Sequence, residues 1–504
     1  MKSDSLYRAI HAMDGGETRY CREALRMEEG SMAENRLFLF EVLLALSSYN
    51  TDAVAKALKG RVILTNLPVE KTRLFGKLLK YVALLNESKK PSNDAYKRLG
   101  EAKVFEHLGM MEEVVEVAQK GLTSAVQVED LEAEVLLRDL LRRVYKAIKN
   151  KKLIQEGTAN EYLLETAVKK LARLMRYKVI NDRAFDYLKR YRVSDAKAAK
   201  KGMEELMHLP EMRDIKMADS LPSQILFYQT LNYYLSSKNE MNEAIDALTK
   251  SLQLWESNPE MIALNSYNYR STLGNILGKL SITGRIDEAP KFLRKMEQVP
   301  VPGKKEEVLK FSEIELQYQL YFLNSGKLDL VIEREKRTLG VINKYGKVLQ
   351  ISTALTLLYN LGVAHLLCDN LGKSLAAFNR IREYGILSQR KDIQGVSRLI
   401  RLLLLAENDA AGTFSNYLRN SKRYFKTEHK AYPLERVVLN WLGNHYELTE
   451  RKARKESFQE LSIMINKFVK GGMMGAEEIQ IWACANAKQT SLRLVFKDSL
   501  HKQG

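Results

Sequence analysis

The sequence predicts an all-α fold, arranged as an α-solenoid of antiparallel helix hairpins. Three observations predict it. Only 9 of the 504 residues are proline, so few positions force a helix to break. Apolar residues recur at the helical spacing i, i+4, i+7, as in Leu137, Leu141 and Val144. Short turns between amphipathic segments recur along the chain, which is the pattern of a repeat protein.

The recurring turns share one design. Glycine or asparagine ends a helix, a short polar turn follows, and another amphipathic helix begins. Glycine and asparagine tolerate the left-handed conformation of a helix C-cap, and a small opening residue lets the next helix pack closely. The residues that open the second helix of each hairpin, 39 to 45 positions apart, are Ala244, Ala289, Val331, Ser374 and Thr413.

These hairpins resemble tetratricopeptide repeats. The resemblance is closest at residues 359–365 (YNLGVAH) and 369–378 (DNLGKSLAAF), which carry a Leu-Gly pair in the first helix and a small residue followed by Phe in the second. Residues 239–259 are similar and end in Asn-Pro. The period exceeds the usual value of about 34 residues, so the chain resembles a long-helix variant. The resemblance implies a right-handed superhelix with a concave groove, and it specifies no ligand.

The pattern divides the chain into four parts. They are an N-terminal helical cap region (1–90), degenerate helical hairpins (91–220), tetratricopeptide-like repeats (221–425) and C-terminal helical hairpins (426–504). Breaks between hairpins are expected at Pro210, at Pro222 and across residues 299–303. Pro290 is tolerated only in a first helical turn, which predicts a helix that starts near Asp287 with this residue as N-cap.

The positive charge is concentrated in one section. The net charge is +18, and residues 141–202 contain 18 Lys and Arg against 6 Asp and Glu. Three interpretations stay open: a solvated helix face, a surface that attracts an acidic protein, or a nucleic-acid site in which interleaved tyrosines stack on bases. The candidate basic patch consists of two helical stripes: Arg142, Lys146, Lys149, Lys169, Arg173 and Arg176.

No motif for catalysis, cofactor binding or metal binding is found, so we expect a protein that is not an enzyme. Gly372-Lys373-Ser374 lacks the glycine five residues earlier that a phosphate loop requires. The seven histidines form no pair at metal-ligand spacing, and His365 is interpreted as a packed core residue.

The expected location is the cytoplasm. The three cysteines lie far apart, which suits a reducing compartment without disulfides. No signal peptide is visible at the N-terminus. The apolar runs fall short of the roughly 20 residues that cross a bilayer, so we expect no membrane span.

The predicted function is a scaffold for protein–protein interaction that binds a protein or peptide in its concave groove. Gln229, Tyr233 and Tyr359 are assigned to the inner face, although packing between helices would explain each equally well. Two alternatives stay open: a regulatory sensor that changes shape when a peptide binds, and a nucleic-acid-binding accessory protein that uses residues 141–202.

Overall fold

A computed structural model describes residues 4–30, 32–86, 91–148, 151–193, 196–301, 303–346, 349–384, 390–407, 413–427, 433–446, 448–470 and 473–500. Over these ranges the regular structure is helical and contains no strand, which confirms the all-α prediction. The chain forms two compact units, Met1–Thr272 with Val299–Lys305 and Leu273–Gln298 with Glu306–Gly504. The division falls inside the predicted repeat region 221–425.

The first unit contains fourteen α-helices of the described chain and the start of a fifteenth. They are α1 (Ser5–Ala12), α2 (Gly15–Arg26), α3 (Ala33–Ala45), α4 (Thr51–Ala57), α5 (Leu67–Asn86), α6 (Pro91–Leu108), α7 (Met111–Gln127), α8 (Leu131–Ala147), α9 (Lys151–Val193), α10 (Ala196–Met207), α11 (Pro210–Arg213), α12 (Leu221–Ser237), α13 (Met241–Glu256), α14 (Pro259–Leu264) and α15 (Ser266–Ile282). Two short 3-10 helices, Val62–Asn66 and Ile215–Met217, connect them.

Helices α1 to α5 surround one apolar core, which includes Leu6, Phe40 and Leu74. From α6 onward, consecutive helices pack on one another, and α9 contacts α8, α10 and α12. Each helix therefore buries its apolar face chiefly against helices that are close in sequence.

The long helix α9 differs from the prediction of hairpins throughout 91–220. It spans 43 residues, Lys151–Val193. No proline interrupts it, and its one glycine, Gly157, lies near the N-terminal end. Without a turn signal the backbone continues as one helix, and three neighbouring helices pack on it and bury one face, which includes Leu174, Tyr177 and Ile180.

The second unit contains the rest of α15 and twelve further described α-helices, of which α17 has its first three residues in the first unit. They are α16 (Ala289–Gln298), α17 (Gly303–Asn324), α18 (Leu328–Glu333), α19 (Glu335–Tyr345), α20 (Ile351–Leu367), α21 (Leu371–Glu383), α22 (Lys391–Glu407), α23 (Thr413–Thr427), α24 (Pro433–His445), α25 (Arg451–Lys470), α26 (Ala476–Lys488) and α27 (Leu492–Leu500). From α20 onward most neighbours in sequence pack together, α18 packs mainly on α20, and α27 also contacts α20.

The predicted proline breaks are confirmed. Helix α11 begins at Pro210, Pro222 lies in the first turn of α12, and no helix covers Val299–Val301. The predicted cap at Asp287 is wrong. This residue lies inside a 3-10 helix, Ile286–Glu288, and α16 begins at Ala289, which still leaves Pro290 in a first turn.

The hairpin α20–α21 shows why a small residue is needed at the helix contact. A Cβ atom on Gly362 would lie 2.8 Å from two ring atoms of Phe378, closer than real carbon contacts. The Ser374 hydroxyl donates a hydrogen bond of 2.9 Å to the Gly362 carbonyl oxygen. The Leu-Gly pair and the Phe of the repeat-like motif thus meet at one close approach.

Replacing Gly362 with alanine is expected to destabilise the second unit. The added methyl group must displace the buried Phe378 ring, and overpacking of this kind costs roughly 1–3 kcal/mol. The control is Gly443→Ala in α24, where the new Cβ meets open space and the better helix propensity stabilises by about 0.5–1 kcal/mol. Urea unfolding measures both variants. Equal changes in the two variants would contradict the close-approach explanation.

Candidate functional site

The candidate site is a cleft in the first unit with a volume of about 460 Å3. The turn between α7 and α8, the middle of α9, the start of α12, the end of α13, and α14 with the first residues of α15 surround it. Its volume lies within the range of about 300–1,000 Å3 that is usual for ligand sites.

A backbone contact holds two walls of the cleft together. Glu129 adopts a left-handed conformation (φ 48°) in the turn after α7, which is uncommon for a residue other than glycine. Its Oε2 accepts a hydrogen bond of 2.7 Å from the backbone N–H of Leu221, the first residue of α12. The carboxylate thereby satisfies a free donor at the start of α12 and joins this helix to the α7–α8 turn.

The floor of the cleft is apolar. Leu174 of α9, Ile225 of α12 and Trp255 of α13 are buried and line it, and Met261 and Leu264 of α14 complete it. The Trp255 Nε1–H group is shielded from water and has no hydrogen-bond partner among the described residues. A buried donor without an acceptor costs free energy, so a ligand carbonyl that reached this group would recover some of that cost.

The rim of the cleft is polar. The Lys178 ammonium lies 3.2 Å from Glu132 Oε1, and the Asn181 side chain donates to the Thr230 hydroxyl at 3.1 Å. The side-chain amides of Gln229 and Asn268 line the cleft and make no hydrogen bond within the described ranges. Two amides, each with donors and an acceptor, are therefore available to a ligand.

The cleft is suited to binding. Of its acidic groups, Glu129 holds the start of α12, Asp130 caps α8 through the Ala133 N–H at 3.0 Å, and Glu132 pairs with Lys178. These carboxylates are engaged in holding the walls. In the part of the chain that the structure describes, no group of three potential metal ligands comes together.

The three predicted groove residues occupy different environments. Gln229 lines the cleft. Tyr233, one turn further along α12, is half-buried against Phe185 with ring centroids 5.5 Å apart, and burial raises its pKa. Tyr359 belongs to the second unit and is 3% exposed, and its hydroxyl donates to Glu478 Oε1 at 3.1 Å. Its contacts are those of a packing residue.

The candidate basic patch is largely ion-paired. Arg142 lies 2.8 Å from Asp139, Lys146 2.8 Å from Glu161, and Arg173 pairs with Asp219. The corresponding pairs of α9 are Lys169 with Glu165 at 2.6 Å and Arg176 with Glu211 at 3.0 Å. Lys149 and the side chain of Tyr191, one of the tyrosines interleaved with the basic residues, lie outside what the structure describes. These contacts match the interpretation as a solvated helix face, because each described charge already has a partner.

Gln229, which the sequence pattern assigns to the inner face, lines the cleft together with Trp255 and Asn268, which that pattern did not single out. The sequence could have indicated this region through a cluster of side-chain amides after α13, since Asn258, Asn265 and Asn268 fall within eleven residues. His365 is 1% exposed, as expected for a core histidine. None of the described helices is both long enough and apolar enough to span a bilayer.

Comparison with known proteins finds no match: no protein-family model, curated protein or solved structure matches the chain. The resemblance to tetratricopeptide repeats therefore stays an expectation that rests on the sequence motifs.

Replacing Glu478 with glutamine is expected to stabilise the protein increasingly as the pH rises. Burial raises the pKa of Glu478, the charge of Glu477 adds to this, and the hydrogen bond from Tyr359 opposes it. The folded state therefore holds this proton more tightly than the unfolded state. The protonated Glu478 carboxyl therefore stabilises the folded protein in full at pH values below its pKa in the unfolded state. This contribution is lost as the pH rises through the pKa of Glu478 in the folded state.

Glutamine keeps an acceptor for the Tyr359 hydroxyl and carries no charge. The difference in unfolding free energy between the variant and the parent protein, measured by urea titration from pH 4 to 8, should grow with pH. The control is Glu460→Gln on the exposed side of α25. Its unfolding free energy should change with pH in the same way as that of the parent protein. If the difference between Glu478→Gln and the parent does not change with pH, the raised pKa of Glu478 in the folded protein is contradicted.

Proposed function

We propose that the chain is a non-enzymatic binding protein, a tetratricopeptide-like α-solenoid that holds an extended peptide segment of a protein partner. The cleft of the first unit is the part of the groove that receives this segment. The observation that carries the proposal is the combination of an apolar floor with two rim amides, Gln229 and Asn268, that have no partner in the described chain.

An extended peptide exposes an N–H donor and a C=O acceptor at each residue. A side-chain amide offers both complementary groups, so Gln229 and Asn268 can pair with the peptide backbone without selecting a side chain. The apolar floor around Trp255 then takes up a hydrophobic side chain of the ligand, where aromatic surface gives favourable burial. Backbone pairing and a side-chain pocket together are a recurrent way of binding peptides.

The charge of the first unit bears on the choice of partner. The net positive section 141–202 would attract an acidic protein and raise its association rate, even though the described members of the candidate basic patch are ion-paired. Cys21, Cys368 and Cys484 are free thiols, which supports the proposed cytoplasmic location.

Peptide selection tests the proposal. A random peptide library is panned against the immobilised full-length protein, and selected peptides are titrated against the parent protein and variants. The double variant Gln229→Ala with Asn268→Ala should weaken binding about tenfold, since each net hydrogen bond contributes roughly 0.5–1.5 kcal/mol. Gln253→Ala removes an exposed amide of α13 outside the cleft and should leave binding unchanged. Equal affinities for all three proteins would refute the cleft as the site.

The regulatory alternative is distinguished by solution scattering with a selected peptide. A peptide that changes the radius of gyration at saturation favours the sensor, because an array of coupled repeats converts local contacts into a change of curvature. An unchanged radius favours the scaffold.

Nucleic-acid binding by the basic section is expected to be weak. Since the described members of the candidate basic patch are ion-paired, an oligonucleotide must compete there with carboxylates already in place. Fluorescence anisotropy with a labelled oligonucleotide should show no saturable binding at 150 mM salt. Tight binding that falls steeply with salt and disappears when Arg142, Lys146, Arg173 and Arg176 are changed to glutamate would instead favour the nucleic-acid function.

A further inference from the structure

The second unit contains a cationic region of its own, separate from the basic section 141–202. Residues 371–427, which span α21, α22 and α23, carry 11 Lys and Arg against 4 Asp and Glu. Helix α22 packs against both α21 and α23. Positive charge from three neighbouring helices is thus brought into one part of the unit.

Two arginines of α22 are stacked on tyrosines of α23. The Arg398 guanidinium carbon lies 3.9 Å from the Tyr424 ring centroid, and that of Arg401 lies 4.0 Å from the Tyr417 centroid. The tyrosines are 6% and 8% exposed, so each buried ring is a rigid surface on which its guanidinium group stacks. Stacking leaves the N–H groups at the edge of a guanidinium plane free to donate.

No carboxylate neutralises these arginines among the residues that the structure describes. Arg398, Arg401 and the exposed Arg382 of α21 form no ion pair there. The Nε and Nη1 atoms of Arg401 are shielded from water and lack hydrogen-bond partners in the described chain. The paired arginines of α8 and α9 show the opposite arrangement.

The surroundings of Arg401 add to this imbalance. Burial lowers the pKa of Arg401, and the positive charges of Arg382 and Arg398 lower it further, against the opposing effect of Tyr417. The hydroxyls of Ser397 and Ser421 are also buried without a described partner on the same two helices. Among the described residues, this region therefore keeps several donors without an acceptor and three cations without a carboxylate partner.

We propose that Arg382, Arg398 and Arg401 form a binding site for a phosphate monoester group. A phosphate monoester carries about −1.5 to −2 charges and three strong acceptor oxygens at neutral pH, whereas a carboxylate carries one charge and two oxygens. Three guanidinium groups match the phosphate better in both charge and number of donors. The site lies in the second unit and is independent of the peptide cleft in the first, so the failure of one proposal leaves the other standing.

The test is titration of the full-length protein with inorganic phosphate, followed by thermal unfolding and by isothermal titration calorimetry. Sodium chloride at equal ionic strength is the control for screening. Phosphate should raise the unfolding temperature with saturation, and chloride should not. The double variant Arg398→Gln with Arg401→Gln should weaken phosphate binding at least about tenfold, because each lost contact is a charge-assisted hydrogen bond.

Two further variants separate loss of binding from loss of folding. Arg401→Lys keeps the positive charge above Tyr417 but loses the planar fork, so it should fold, by circular dichroism, and still bind phosphate more weakly than the parent. Arg419→Gln removes one positive charge at an exposed position of α23 and should bind like the parent. The proposal is overturned if phosphate acts no differently from chloride, or if Arg419→Gln weakens binding as much as the double variant.

The source of the phosphate group is distinguished with two probes, a phosphoserine peptide and a sugar phosphate. The unphosphorylated peptide is the control for the first, and the free sugar is the control for the second. A probe that binds more tightly than inorganic phosphate, and that loses affinity in the double variant, identifies its class as the source. The proposal is overturned if neither probe binds more tightly than its unphosphorylated control.

Discussion

The close approach of helices that are neighbours in sequence is the constraint on which the described structure depends. An amphipathic helix must bury one face, and in both units many helices do so against the helix just before or after them, whereas others, such as α1 and α18, pack mainly on a helix further along the chain. The contact of Gly362 with Phe378 shows how little space this leaves, because one added methyl group would overlap the ring. Close packing fixes which side chains are buried and which form the lining of a cleft.

Polar contacts then fix the positions of helix ends and helix pairs. Glu129 connects the α7–α8 turn to the first N–H of α12, and this contact shapes the cleft. In the second unit, the fully buried Glu315 carboxylate receives hydrogen bonds from Arg334 at 2.7 Å and from Thr338 at 3.1 Å. A buried charge is tolerated only when it is paired in this way. Against that standard, donors without partners, such as those of Arg401, stand out.

The positive charge of the chain is of two kinds. In the basic section 141–202, the described members of the candidate patch pair with acidic residues of their own or neighbouring helices. On α22 the arginines stack on tyrosines and meet no carboxylate in the described ranges. Charge density along a sequence therefore does not identify a binding surface, because neutralisation depends on which side chains meet after folding.

The amino-acid sequence alone determined the all-α class, the proline breaks and the burial of His365, since local helix propensity and apolar periodicity carry this information. It also indicated Gln229, but it could not show that Tyr359 is buried or that α9 continues for 43 residues. Trp255 and Asn268 reach the cleft only because α13, α14 and the start of α15 pack beside α12. Local periodicity carries no information about contacts between residues that are far apart in the sequence. Only the tertiary structure therefore decided the lining of the cleft and the partners of the arginines.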